Sequence, residues 1–286
     1  MIVTEREISV LRSIASYYVL NSRQIQRLHF PDDASGRVTR RRLQFLVTEK
    51  LLNRQQMLFA HPSSGSIGPV YYPSQKGCEF LADHFVDDRY RRTSTRSPIP
   101  HHVWHWLAVA ETHMALDKAI EAQSLVSLLS WINEYDEIDG TAQKPEKRFR
   151  LYTIIQEAPR LVCAPDAAFL LSMRGHSKVF YLEQDRATSG TRQIASSKTP
   201  GYAAMAERLL HRRHFPKATV DDFTVLMVTP SSNRRDSLRR AIREKEGAHL
   251  WRFATVDDLT VDALLHNKIW YPADDSPAGC LVRGDA

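Results

Sequence analysis

Cysteine is scarce. The 286 residues hold three, Cys78, Cys163 and Cys280, widely spaced and without a Cys-x-x-Cys pair. That excludes a disulfide scaffold or a zinc ribbon and fits a reducing cytoplasm. No apolar run approaches the ~18 residues needed to span a membrane, and Met1 to Arg12 mixes acids, arginines and apolar residues, unlike a signal peptide. No Gly-rich phosphate loop and no nucleophile elbow occurs, so a metabolic enzyme has little support.

Positive charge is present but lopsided. Residues 1–100 carry 15 Lys and Arg against 9 Asp and Glu, while residues 101–286 carry 24 of each. All of the net +6 therefore lies in the first third. A localised basic surface suits a polyanion, most often nucleic acid, although a merely solvated basic face is the alternative.

In that third, Thr4 caps a helix with apolar positions Ile8, Val10, Leu11, Ile14 and Ala15. Ser22 is a cap for a short second helix carrying Ile25 and Leu28, ended by Pro31. A third helix is expected from about residue 35 to residue 50, with Val38, Leu43, Leu46 and Val47 toward the core. Arg37, Thr39, Arg40, Arg41 and Arg42 crowd its first half. A strand over 51–59, a turn-rich run over 61–68, a returning strand over 69–73 and a helix from Gln75 follow. Three short helices and then a hairpin predict a winged helix-turn-helix over residues 1–85, whose basic third helix reads double-stranded DNA. A winged helix used for protein contacts is the alternative.

Residues 86–100 read as an extended linker, rich in charge, Ser, Thr and Pro. A long helix over 101–122 contains His101, His102 and His105, but no His-Glu-x-x-His frame. Residues 140–150 read as a polar loop, 223–229 as an apolar strand covered on both faces, 233–246 as a basic helix, 249–254 as a strand and 261–266 as a short helix. The segment 274–286 is Pro-, Gly- and Asp-rich and expected to be disordered.

The most informative pattern lies between. Pro165-Asp166 opens an apolar run, Gly175 marks a turn, and residues 178–182 return into Glu183-Gln184-Asp185, with Lys198 and Tyr202 downstream. Side chains alternate along a strand, so Glu183 and Asp185 share a side, and pairing of the two strands brings Asp166 near. Crowded carboxylates repel unless a cation sits between them, and an all-oxygen set suits Mg²⁺ or Mn²⁺. Solvated acids at strand ends are the alternative. A helix over about 192–213 is expected to carry Lys198 and Tyr202; Pro200-Gly201 inside it leaves a start only after Pro200 as the alternative.

These residues resemble the PD-(D/E)XK nuclease superfamily, with Asp185 standing where that pattern has Lys. The run Pro165-Asp166, Glu183-Gln184-Asp185-Arg186, Thr188, Lys198 and Tyr202 resembles more narrowly the plasmid replication-relaxation family, which is related to mobilisation relaxases; the chain departs from it at Ala187 and Ser189. Residues 105–111, including His105 and Glu111, resemble a segment of the same family. The resemblance implies a mixed-sheet, restriction-endonuclease-like domain over 101–273, an α+β or α/β fold behind the winged helix. It implies catalytic roles for Asp166, Glu183, Asp185, Lys198 and Tyr202, the tyrosine as an alternative nucleophile to metal-bound water. Metal would be held by Asp166, Glu183, Asp185 and Glu134, the last from a preceding helix. The expected function is a DNA-binding protein of a plasmid or mobile element with a nicking or cleavage centre, or else a non-catalytic regulator on a degenerate nuclease fold. The expected partners leave room for other replication or mobilisation proteins and for a homodimer, and include no membrane.

Overall fold

The computed structural model describes residues 3–57 and 68–282. The chain divides into two compact units, residues 1–110 and 111–286.

The N-terminal unit runs α1 (Glu5–Tyr17), β1 (Leu20–Asn21), α2 (Ser22–His29), α3 (Arg37–Thr48), β2 (Leu52–Gln55), β3 (Val70–Pro73), α4 (Gln75–Phe85) and the start of α5 (Pro100–Glu121). The division between units falls inside α5. Thr4 and Glu7 close a capping box on α1, and Asn21 with Gln24 does the same for α2, so Asn21 and not Ser22 is the cap. The strands form an antiparallel sheet in the order β1-β3-β2. Residues 58–67, which hold most of the expected hairpin tip and the end of the expected strand 51–59, lie outside the described residues. Ile14, Val19, Leu20, Ile25, Leu43, Leu46, Leu51 and Val70 are fully buried between the helices and this sheet. Val38, expected in that core, is 37% exposed. The buried residues of α3 are Thr39, Leu43 and Leu46, whose spacing defines a helix face that excludes Val38. Residues 86–100 are not a bare tether either. Tyr18 donates a hydrogen bond to the Arg96 carbonyl at 2.9 Å, Ser97 donates to Gln55 at 2.9 Å, and residues 90–92 form a 3₁₀ turn.

The C-terminal unit continues with β4 (Val126–Asn133), α6 (Pro145–Arg148), β5 (Thr153–Gln156), β6 (Leu161–Cys163), β7 (Ala167–Met173), β8 (His176–Gln184), α7 (Thr191–Glu207), α8 (His211–His214), β9 (Phe223–Thr229), α9 (Ser232–Ile242), β10 (Trp251–Thr255) and β11 (Tyr271–Pro272). Six strands make one mixed sheet in the order β11-β10-β9-β8-β7-β4. β8, β9 and β10 are parallel; the remaining pairs are antiparallel. The β7–β8 hairpin turns on Arg174 and Gly175, both with positive φ (51° and 81°), as a two-residue hairpin turn of the primed kind requires. One sheet face buries Tyr181, Val225, Met227, Trp251 and Phe253 in a cluster with Ala195, Tyr202 and Met205 of α7 and Leu238 and Ile242 of α9. Toward the other face, His113 of α5 stacks on Trp131 with centroids 3.6 Å apart, Trp131 on Phe169 and Phe169 on Phe180. Burial on both faces explains the unbroken apolar run of β9.

One alternative is decided and two expectations are corrected here. α7 is continuous through Pro200. The proline forfeits one helical hydrogen bond, at a cost of about 3 kcal/mol. Burial of Ala195, Thr199, Tyr202 and Met205 on both sides of it offsets that loss. Gly201 matters beside it: a Cβ there would lie 2.8 Å from the Val162 carbonyl, so glycine lets α7 press against β6. Residues 261–266 make turns instead of a helix. The segment after Asp274 is folded back as far as it is described. Trp270 pairs with Gly279, and buried Val282 donates its N–H to the Leu265 carbonyl at 2.9 Å.

Candidate metal and DNA-binding sites

Asp166 stands just before β7, and Glu183 is next to last in β8. Ala167 pairs with Leu182, so the next step along the hairpin sets Asp166 beside Glu183. The Asp166 N–H donates to the Leu182 carbonyl at 3.1 Å, and Asp166 Oδ2 accepts the Gln184 N–H at 2.7 Å. Asp166 Oδ1 lies 3.8 Å from Lys198 Nζ, and the same ammonium forms an ion pair with Glu183 Oε2. Glu183 Oε1 accepts the Tyr202 hydroxyl at 2.6 Å. Lys198 and Tyr202 are four residues apart on one uninterrupted helix, which puts both on the face over β8. Gln184 points to the opposite side, where Thr112 donates to its Oε1 at 2.8 Å.

The environment decides protonation. Glu183 is 2% exposed, and burial pushes its pKa up to about 7; the Asp166 charge adds to the rise, while Lys198 and Tyr202 oppose it. Burial disfavours the Lys198 charge, but Glu183 and Asp166 together hold its pKa above the ordinary lysine value. The Tyr202 phenol is pushed well up, first by burial and then by Glu183, so it stays a hydrogen-bond donor. It is 1% exposed. Its hydroxyl is held on Glu183, and it lines a small cavity with Glu183 and Lys198. The Cys163 thiol nearby is buried and likewise raised, by burial and then by Glu183.

Asp185 has a different partner. Arg234 of α9 grips both of its oxygens, Nε to Oδ2 at 2.7 Å and Nη2 to Oδ1 at 2.9 Å, and also donates to the Ser189 carbonyl at 2.6 Å. The Asp185 N–H donates to the Val228 carbonyl at 2.9 Å, which carries the residue toward β9 and the helix after it. Among the expected ligands, Asp185 is thus committed to an arginine. Glu134 comes from the residue after β4, not from a preceding helix as expected. Its N–H donates to the Asp166 carbonyl at 3.0 Å, and one carboxylate oxygen of each residue lies within 4.8 Å of the other. Asp166 therefore neighbours both Glu134 and Glu183, and carboxylate oxygens are the donors that suit a hard divalent cation. The Lys198 ammonium touches two of them.

In the N-terminal unit, Arg37, Arg40 and Arg41 lie exposed on the first half of α3. Thr39 and Arg42 make contacts within the unit. The Thr39 N–H and hydroxyl both donate to Asp33 Oδ2, at 2.7 and 2.8 Å, which closes the start of the helix. Arg42 donates to Glu7 Oε1 at 3.2 Å, and Glu7 is buried. Arg234 was missed as a site residue. Its place in a basic helix is legible, but its partner lies 49 residues away and no spacing rule joins them.

Neither curated proteins nor solved structures give a match to the chain. The model described as replication-relaxation matches residues 11–218, a span from α1 past α8 that contains both the α3 arginines and the Asp166–Tyr202 centre. The chain belongs to the replication-relaxation family, and that membership points to a role in plasmid replication or mobilisation.

Proposed function

We propose that the protein binds duplex DNA through a winged helix in its N-terminal unit and nicks or cleaves DNA at a Mg²⁺- or Mn²⁺-dependent centre in its C-terminal unit. The observation that carries this reading is the Lys198 ammonium shared by Asp166 and Glu183 at the end of β8. Two carboxylates meet there on a cation whose long side chain can move aside. Asp166 and Glu183 would hold the metal, with Glu134 beside Asp166. When bound, it would lower the pKa of a water and offset charge on the phosphate. Tyr202 fixes the Glu183 carboxylate by its hydrogen bond, and Lys198, displaced toward the substrate, would stabilise the charge that develops in the transition state. The DNA-binding half is supported by element order, by the charge excess of residues 1–100 and by the exposure of Arg37, Arg40 and Arg41.

A second reading, a DNA-binding regulator with a silent nuclease fold, is favoured by one observation: Asp185 replaces the motif lysine and is locked by Arg234. Supercoiled plasmid incubated with the protein and Mg²⁺ or Mn²⁺ separates the two. Nicking that is lost in Asp166→Ala supports the enzyme. Wild type that shifts duplex DNA yet leaves the plasmid supercoiled with either metal overturns it.

A further inference from the structure

The sheet of the C-terminal unit carries a second polar site, remote from Glu183. Lys178, Thr224 and Arg252 stand near the first residues of the parallel strands β8, β9 and β10 and border a cavity of about 800 Å³. Lys178 and Glu183 are five residues apart, roughly 16 Å along the strand and on opposite faces of the sheet. The cavity is therefore separate from the carboxylate centre. Its size is that of a small-molecule site.

Its lining is cationic. Lys178, Arg243, Arg252 and Lys268 face it, and Asp274 is the one acid among its described lining residues. Two of these cations have carboxylate partners set back from the cavity: Asp222 lies 2.9 Å from Lys178, and Asp275 pairs with Arg243. Arg252 is anchored instead on main chain, its Nη1 donating to the His249 and Trp251 carbonyls at 2.8 Å each. Arg243 Nε is buried without a hydrogen-bond partner among the described residues. A buried guanidinium N–H left unanswered is costly, and an oxyanion is the group that answers it. Buried Phe180 and Trp270 add an apolar wall.

We propose that this cavity binds a nucleoside phosphate, with the phosphate on Arg243, Arg252 and Lys268 and the nucleoside against Phe180 and Trp270. Guanidinium forks match phosphate oxygens in number and direction, and an aromatic wall suits a sugar and base. The same chemistry arrives as a free nucleotide or as the phosphorylated 5′ end of a DNA strand.

Calorimetry of the full chain in EDTA, which leaves any metal centre empty, tests the assignment. The titrants are dADP, inorganic phosphate and a 5′-phosphorylated oligothymidine beside its unphosphorylated twin. Expected are binding of dADP or of the phosphorylated oligonucleotide, and at least a tenfold loss in Lys268→Glu and in Arg252→Ala. Asp166→Ala should bind like wild type, which keeps the result independent of the nuclease reading. Lys268 is exposed, so its variant folds even if the Arg252 variant does not. Binding of dADP alone identifies a nucleotide site, and binding of the phosphorylated oligonucleotide alone identifies a strand-end site. No heat with any titrant, equal affinity in wild type and Lys268→Glu, or inorganic phosphate binding as tightly as dADP overturns the proposal.

Discussion

The basic face of α3 and the acidic centre of β8 are built on opposite principles. Arg37, Arg40 and Arg41 keep their charges in water, while Glu183 and Asp185 are buried and each is answered by a cation from a later helix. An exposed charge is inexpensive to hold and contributes little to folding. A buried one must be paired, so losing its partner destabilises the whole fold. The lesson is that a substitution on α3 reports on binding, whereas one around β8 reports first on stability and only then on chemistry.

The largest break in that contrast is expected at Arg234→Ala. It leaves the Asp185 carboxylate, only 3% exposed in its side chain, without its bidentate partner. Removing one member of a buried pair costs on the order of 3 kcal/mol. Urea denaturation should show that loss, and the double change Asp185→Asn with Arg234→Leu should recover most of it. A loss below about 0.5 kcal/mol, the range of surface sites, would mean that the pair is merely incidental.

The pH dependence of the C-terminal unit comes next. Burial lowers the His113 pKa to about 3, and burial with nearby arginines lowers that of His214 to about 4. Both values lie below the unfolded value, so the stability they contribute is present above about pH 6.5 and is lost as pH falls toward the folded values. At pH 5 the His113 share of that loss is about 2 kcal/mol. His113→Phe keeps a ring against Trp131 and should remove it, so that denaturation midpoints at pH 5 and pH 7 draw together. Glu183 runs the other way. Its pKa is raised to about 7, so its contribution is held below about pH 4.5 and lost as pH rises through 7. Glu183→Gln should flatten that alkaline limb. If the two limbs respond with the opposite signs, the assigned burial effects are wrong.

How much of this was readable in the chain follows the reach of each interaction. The β7–β8 hairpin and the approach of Asp166 to Glu183 are local: alternation, a Gly175 turn and a two-residue loop fix them. α1 to α4 were readable for the same reason, since caps and turn residues lie within a few positions of what they control. The joint hold of Lys198 and Tyr202 on Glu183 was half legible. Their four-residue spacing gives a shared face only on a continuous helix, and Pro200-Gly201 argued locally against one. Tertiary burial overrode that local signal. Nothing local announces that Arg234 meets Asp185, that Glu134 arrives from the end of β4, or that Val282 folds back to Leu265.

The same division holds within the cluster of five residues on α3. Thr39→Ala removes the hydroxyl's hydrogen bond to Asp33, leaves the backbone one in place, and should cost about 1 kcal/mol, as a lost side-chain hydrogen bond does. Thermal unfolding reads this directly, and an unchanged midpoint would mean that the Thr39 hydroxyl does not hold the helix start.

The smallest effect on stability is expected at Arg40 and Arg41, where the effect on binding is most specific. Both side chains stand in solvent on the first half of α3, so replacing either by Ala should change stability by less than about 0.5 kcal/mol. If each meets a phosphate, each loss should lower the slope of log affinity against log salt by roughly one unit. Arg42 is the internal control. Its ion pair with Glu7 turns it toward the protein, so Arg42→Ala should reduce stability and leave the salt slope in place. Duplex titrations at several salt concentrations distinguish the cases. A slope that falls for Arg42 but not for Arg40 or Arg41 would move the DNA-binding face off the exposed side of α3 and undo the contrast between an open basic helix and a largely buried acidic centre.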